Sequence, residues 1–224
     1  MIPWSHLDTA RIPGGKEDLR LLQRGPEFSI MLGQNPLMNS RLSGSEKALA
    51  TLAAERLKSV KKPRVLIGGL GMGFTLRAAL EDFGPSDIIV SELIPAVVKW
   101  ARGPMAELYG DSLTDPRVEI RETDVGEIIR ASRVQFDAIL LDVDNGPEGL
   151  THPTNDRLYS HQGLSAARNA LRPGGILAVW SQGPDERFSG RLDKAGFAVE
   201  EVRVRANRKG RGSRHVIWLA SRPK

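Results

Sequence analysis

Arg64-Val65-Leu66-Ile67-Gly68-Gly69-Leu70-Gly71-Met72-Gly73-Phe74-Thr75-Leu76 is the stretch whose reading decides the fold. The residues before Gly68 lean apolar and read as a buried strand. Positions 68 to 73 are then glycine at four of six places. Thr75 to Leu80 resumes as a helix. Strand, glycine turn and helix form the phosphate- or nucleotide-binding corner of a doubly wound sheet. Glycine lets a backbone approach a ligand closely, and a helix start offers unpaired N–H groups.

The glycine spacing narrows the ligand. A dinucleotide fingerprint would need glycine at 69, 71 and 74, and position 74 is Phe. Gly69, Gly71 and Gly73 suit a nucleoside cofactor with no pyrophosphate, such as S-adenosylmethionine. About twenty residues on, Asp87 to Ser91 reads as a second buried strand, ending at Glu92, an acid able to accept from two ribose hydroxyls. The competing reading is a tight turn that uses glycine for its own sake. Strands on both sides and the distance to Glu92 favour a nucleoside site.

The chain has 224 residues, a net charge of +5 and no cysteine. That length suits one full domain with a small appendage. Without cysteine there is no disulfide, thiolate catalysis or cysteine-held metal, and a cytoplasmic location is expected. No apolar run approaches the roughly 20 residues of a membrane span. Residues 1 to 6 have neither a basic nor an apolar signal region. Eight of the 32 Lys and Arg residues fall between Val202 and Lys224, where there is no acid; the remaining 24 face all 27 acids. The basicity thus belongs to the tail. It reads as a solvated loop between two strands, with nucleic-acid contact as the competing reading.

Residues 1 to 17 read as irregular. Leu19–Arg24, Phe28–Leu32 and Leu37–Ser40 read as short strands of an N-terminal arm, residues 1–42, too small to fold alone. The main domain is expected over 43–224. It opens with a helix from Ser43 to Val60, started by a capping box of Ser43 and Glu46. Strands are predicted at 64–68, 87–91, 117–121, 136–141, 175–181, 197–204 and 214–220. Helices are predicted at 74–82, 95–108, 124–131, 157–171 and 185–195. Leu171 to Gly175 reads as a turn, and the last two strands as an antiparallel hairpin. The expected fold is α/β and Rossmann-like, of the class I methyltransferase type: a mostly parallel seven-stranded sheet with an antiparallel edge hairpin, plus the small β arm.

Ligands of such a sheet bind beyond the carboxyl ends of its strands. Asp124 and Val125 sit at one such end and are candidates to hold an adenine; the alternative for Asp124 is a plain helix cap. Leu140-Leu141-Asp142-Val143-Asp144-Asn145-Gly146-Pro147-Glu148 ends a buried strand in a run of acids. A carboxylate there can orient a cationic amine and take its proton, which makes Asp142 the candidate catalytic base and Asp144 and Asn145 substrate contacts. The alternative is an Asx-rich turn. The segment running to Tyr159 has room for a lid. His152 and His161 lack further ligands at metal spacing, so no metal is expected. Trp180 reads as core or as a stacking surface.

These residues resemble the polyamine aminopropyltransferases, the spermidine synthases. The similarity runs from about Leu32 to Ala198. It is carried by the glycine turn with Thr75-Leu76-Arg77, then Glu92, Asp124, Asp142, Leu158-Tyr159-Ser160 and Leu171-Arg172-Pro173-Gly174-Gly175. The resemblance implies that Gly69 to Gly73, Glu92 and Asp124 bind decarboxylated S-adenosylmethionine, and that Asp142 matches the first Asp of the family's Asp-Ser-(Ser/Thr)-Asp-Pro run. Tyr159, in a matched stretch, is a further substrate candidate. The departures lie on the amine side. The acidic run is one residue longer before its proline, and Asn145 replaces the second acid. Leu37 stands in place of a substrate-gripping Gln, and Gly44-Ser45-Glu46 lacks an aromatic. The chain resembles a shortened spermidine synthase with an altered acceptor side.

The leading expectation is therefore a transferase that alkylates a small amine with S-adenosylmethionine or its decarboxylated form. A homodimer is compatible with this reading and a membrane partner is not expected. The alternatives are a methyltransferase acting on a small molecule or nucleic acid, and a nucleoside-binding domain without chemistry.

Overall fold

The computed structural model describes residues 2–13, 17–143, 157–206 and 213–224. Asp144 and Asn145, His152, and Arg208, Lys209 and Arg211 lie outside them. A four-stranded antiparallel sheet comes first: β1 Ser5–Arg11, β2 Asp18–Arg24, β3 Glu27–Leu32 and β4 Asn35–Asn39. Strand β1 corrects the expectation of an irregular N-terminus. Ser5–Arg11 has no apolar alternation because it is an edge strand, mostly exposed and bulged between His6 and Asp8. What holds it is tertiary. Asp8 accepts a hydrogen bond from Trp100 Nε1 (2.8 Å) and an ion pair from Lys99 (3.4 Å).

Helix α1, Gly44–Arg56, leads into the large sheet. Its strands are β5 Arg64–Gly68, β6 Asp87–Ser91, β7 Val118–Arg121, β8 Phe136–Leu141, β9 Leu171–Ser181, β10 Ala198–Arg205 and β11 Arg214–Ser221. They lie in the order β10-β11-β9-β8-β5-β6-β7. Strands β5 to β9 are parallel, and β10 and β11 are antiparallel, as the sequence predicts. The central strands are buried on both faces, so their sequences are continuous apolar runs. Val65, Ile67 and Val90 face the side of α1, α2 (Phe74–Asp82) and α3 (Pro95–Arg102). Leu66, Ile89 and Ile139 face α5 (Val125–Ala131), α6 (His161–Ala170) and α7 (Glu186–Lys194). Leu19, Leu21, Phe28 and Ile30 of the small sheet belong to the first of these cores, so the arm is packed into it.

Three local expectations are corrected. The helix expected over 95–108 stops at Arg102, because Gly103 leaves helical dihedrals and Pro104 has no N–H to give; a short α4 (Ala106–Tyr109) and a 3₁₀ turn (Gly110–Leu113) follow. The turn expected at Leu171–Gly175 is part of β9, which starts as soon as α6 ends; Gly174 N–H and Arg222 N–H tie it to the C-terminal residues (2.9 and 2.8 Å). The capping box at Ser43 does not form. Ser43 makes no side-chain cap, and the Ser45 hydroxyl bonds Glu46 Oε2 instead (2.7 Å).

Candidate active site

The turn after β5 is held from behind. Gly69 has φ +91°, and a Cβ there would run into the Asp142 carbonyl, so β5 and β8 approach each other only because residue 69 has no side chain. Gly69 N–H donates to the Ser91 carbonyl (2.8 Å), and Leu70 N–H to Glu92 Oε2 (2.9 Å). Ile94 N–H donates to Glu92 Oε1 (2.9 Å). Glu92 is therefore a buried clamp on two loops as well as a wall of the cleft. Burial pushes its carboxyl above the usual range, and the backbone N–H groups pull it back down.

A cleft opens above these strand ends. Gly69, Gly71, Glu92, Asp124 and Val125 line it, as the sequence predicts. Asp124 does cap α5, with Oδ1 accepting from Gly126 N–H (2.7 Å), and it also lines the cleft. Gly73 is a correction. It starts α2 at φ +74° with the Tyr109 ring against it, and it does not line the cleft. Its role is to bring Tyr109 close enough for its hydroxyl to bond the Gly71 carbonyl (2.5 Å). Of the opposite wall, only Leu37 was expected near the site, by resemblance. Leu19, Ile30, Leu37 and Met38 of the N-terminal sheet close the cleft with apolar surface.

A second cavity adjoins the first and shares Leu37, Met38, Gly71, Asp142 and Val143 with it. Asp142 stands at the junction. Its Oδ2 accepts from the Thr75 hydroxyl (2.7 Å). Burial pushes the Asp142 carboxyl up to about 7, and the charge of Glu46 adds to the rise, while Thr75 opposes it. Glu46 faces the same cavity, and burial raises its carboxyl too. Two carboxyls sharing a secluded site resist simultaneous ionisation, so one tends to keep a proton. Phe74, Met72 and Trp180 complete the wall. Trp180 is 9% exposed and part of the core, and it also lines this cavity.

Tyr159 is the second correction. Its ring is buried in the core on the other face of the sheet, edge-on to Phe188 at 5.6 Å, and it lines neither cavity. Asp144 and Asn145 lie outside the described residues. Sequence reasoning missed Glu46 and Thr75. Glu46 carried a signal, as an acid two residues into a helix, but helix capping already explained it. Thr75 sits inside the quoted glycine stretch and has no motif of its own.

The model of the spermine/spermidine synthase domain matches residues 44–187. A polyamine aminopropyltransferase of Mycobacterium tuberculosis is 32% identical over 149 residues, which is 62% of this chain and 28% of that protein. The chain spans between a quarter and less than half of the length of the curated relatives it matches. A crystal structure of spermidine synthase in complex with the transition state analogue AdoDATO superposes with a TM-score of 0.76 at 18% identity, covering 96% of this chain and 72% of that one. An N1-methyltransferase of Burkholderia thailandensis, with bound 1,6-didemethyltoxoflavin and S-adenosylhomocysteine, gives 0.56 at 20% identity over 81% of this chain and 80% of that one. Both likenesses are likenesses of fold.

Proposed function

The chain belongs to the spermine/spermidine synthase domain family, and from that premise we propose that it is a transferase that alkylates a small amine at the expense of decarboxylated S-adenosylmethionine. The observation that carries the reading is Asp142. It is a partly buried carboxyl raised toward neutrality, at the junction of two adjoining cavities.

The first cleft fits a nucleoside. In this reading ribose hydroxyls share the Glu92 carboxylate with the backbone N–H groups of Leu70 and Ile94, and those of Gly71 and Leu93 are also turned toward it. Asp124 Oδ1 is used by the helix cap, leaving Oδ2 toward an exocyclic amine. Leu37, Ile94 and Val125 supply the apolar faces that a base requires. In the second cavity an alkyl ammonium meets Asp142 and Glu46.

Such an amine cannot attack while protonated. Asp142 orients it and takes one proton. The freed lone pair forms the N–C bond to the aminopropyl carbon, and the C–S bond breaks with its electrons passing to sulfur. The sulfonium charge vanishes as the new amine becomes cationic, and one proton is left over per turnover. In this reading Gly69, Gly71, Glu92, Asp124 and Val125 hold the cosubstrate. Residues 1–42 close the site over a catalytic domain of 43–224. The cytoplasm is the compartment we infer. No described helix is long and apolar enough to cross a membrane.

The test is to incubate the protein with either cosubstrate form and a panel of mono- and diamines, and to identify the nucleoside product by mass. Methylthioadenosine is expected. S-adenosylhomocysteine would mean methyl transfer on the same scaffold. Cosubstrate binding without either product would overturn the enzymatic reading.

A further inference from the structure

The proposed reaction leaves a proton on Asp142, which must lose it before the next turnover. Asp142 and Glu46 are both partly buried and face one cavity. A chain of hydrogen bonds leads away from this pair. The Ser45 hydroxyl, itself 0% exposed, lies 2.7 Å from Glu46 Oε2. On its other side it lies 2.8 Å from His215 Nδ1. His215 is half-buried on β11. The Trp180 ring stands edge-on to it at 4.8 Å, which covers the imidazole on the cavity side. Nothing in the reaction chemistry above uses Ser45 or His215.

We propose that Glu46, Ser45 and His215 are the proton exit of this site, carrying the amine's proton from Asp142 to solvent at the imidazole. This rests on the proposed amine alkylation.

The hydrogen bonds have two self-consistent settings. With Glu46 ionised, Ser45 O–H donates to Glu46, and Nδ1–H of His215 donates to Ser45. With Glu46 protonated, its O–H donates to Ser45, and Ser45 O–H donates to a bare Nδ1. Switching from the second setting to the first moves one proton from carboxyl to imidazole through two short hops, with no heavy atom displaced. Asp142 hands its proton to Glu46 across the shared cavity. Glu46 passes it to Ser45 as Ser45 passes its own to Nδ1, the imidazolium releases Nε2–H to water, and the ring then turns out to exchange Nδ1–H for Nε2–H through solvent before the next turnover. Atoms and charge balance: one proton leaves the ammonium and one reaches solvent.

The surroundings favour release. Burial lowers the proton affinity of His215, so the ring returns to neutral readily. His215 shares its face of β11 with Ile217 and Leu219, and Val204 lies opposite on β10. Arg214 on β11, with Arg203 and Arg205 on β10, alternates onto the other face. From α1 the charge nearest the ring is Glu46, reached through Ser45. A Ser between a carboxyl and a histidine also suits plain structural anchoring, and the test must separate the two.

Turnover of an amine substrate is measured for wild type, His215→Gln, Ser45→Ala, Glu46→Gln and Asp142→Asn, with cosubstrate affinity and melting temperature as folding controls. For His215→Gln we expect kcat to fall about tenfold with KM for the cosubstrate unchanged, a smaller loss than the roughly 10²–10⁴ of a positioned base. Added imidazole should restore it, because the break is at the solvent end. Ser45→Ala and Glu46→Gln should fall at least as far, with no restoration by imidazole, because the break is inside. Anchoring would give losses that imidazole does not restore for any variant, and that outcome overturns the proposal. So does a His215→Gln enzyme with wild-type kcat from pH 6 to 9. Should a variant fail to fold, single-turnover rates of wild type in mixed H₂O and D₂O decide: a curved dependence on deuterium content supports several protons in flight, and a linear one overturns the relay. An inactive Asp142→Asn beside a fully active His215→Gln removes the relay and leaves amine alkylation standing. A wild type that forms no nucleoside product with any amine removes both.

Discussion

Asp142 and Glu92 are both acids at strand ends, and the structure gives them different surroundings. Asp142 has one hydroxyl partner and a raised proton affinity. Asp142→Asn should cut turnover by about 10²–10⁴ with little change in cosubstrate affinity, measured by steady-state kinetics and calorimetry. The same change has a stability signature. A carboxyl whose folded value lies near 7 and whose unfolded value lies near 3.8 binds more protons folded than unfolded between those limits. Stability contributed by the protonated form is therefore lost as pH rises from about 4 to about 7. Asp142→Asn should melt like wild type near pH 4 and above it at pH 8. The acid limb of the wild-type pH–rate profile should fall near pH 7, since the ionised base is the active form; it reports the Asp142–Glu46 pair rather than either residue alone. A fully active Asp142→Asn enzyme would remove Asp142 from the mechanism. Glu92 contrasts with this. Its oxygens satisfy Leu70 and Ile94 N–H in a buried place. Glu92→Ala should weaken cosubstrate binding and, unlike an exposed cleft acid, also lower folding stability by about 1–3 kcal/mol through those orphaned donors. Unchanged affinity with lowered stability would make Glu92 a clamp and nothing more.

At the scale of elements, the N-terminal sheet does more than decorate the large one. Ile30 on β3 is 1% exposed; one part of its surface packs in the core and another lines the cleft. Ile30→Ala should cost about 2–5 kcal/mol, as core truncations do, and should weaken cosubstrate binding as well. Chemical denaturation and calorimetry report the two effects separately. Loss of stability with unaltered affinity would mean that the sheet supports the cleft without shaping its ligand. The glycine turn depends on neighbours in the same way. Gly69 is required by the Asp142 carbonyl and Gly73 by the Tyr109 ring, from elements distant in sequence.

For the molecule as a whole, charge is divided between an acidic body and a basic C-terminal hairpin. The hairpin edge, β10 with β11, lies at the far end of the sheet from β7, and its strand faces carry the arginines outward. Replacing Arg208, Lys209 and Arg211 with Ser should leave turnover of a small amine within a few-fold. A salt-dependent affinity for RNA or DNA that this triple change abolished would favour the nucleic-acid reading instead.

The sequence by itself determined the large sheet, its strand order class and its hairpin, together with the cleft-facing positions of Gly69, Gly71, Glu92, Asp124, Val125 and Asp142. Each of these is local: a buried parallel strand must be a continuous apolar run, and a ligand-facing residue must follow where that run stops. Only the tertiary structure decided what reaches the same cleft from elsewhere. Strand β1 has no apolar alternation and exists because β2 and Trp100 hold it. Tyr159, placed near the substrate by its stretch, turns into the core because the turn leading into α6 packs on the opposite face of the sheet. Gly73 serves the Tyr109 ring and not a ligand. Glu46, written as a helix cap, becomes the partner of Asp142 because α1 and β8 converge on one cavity across nearly a hundred residues. Periodicity reports which face of an element is buried; it carries no record of which other element that face will meet.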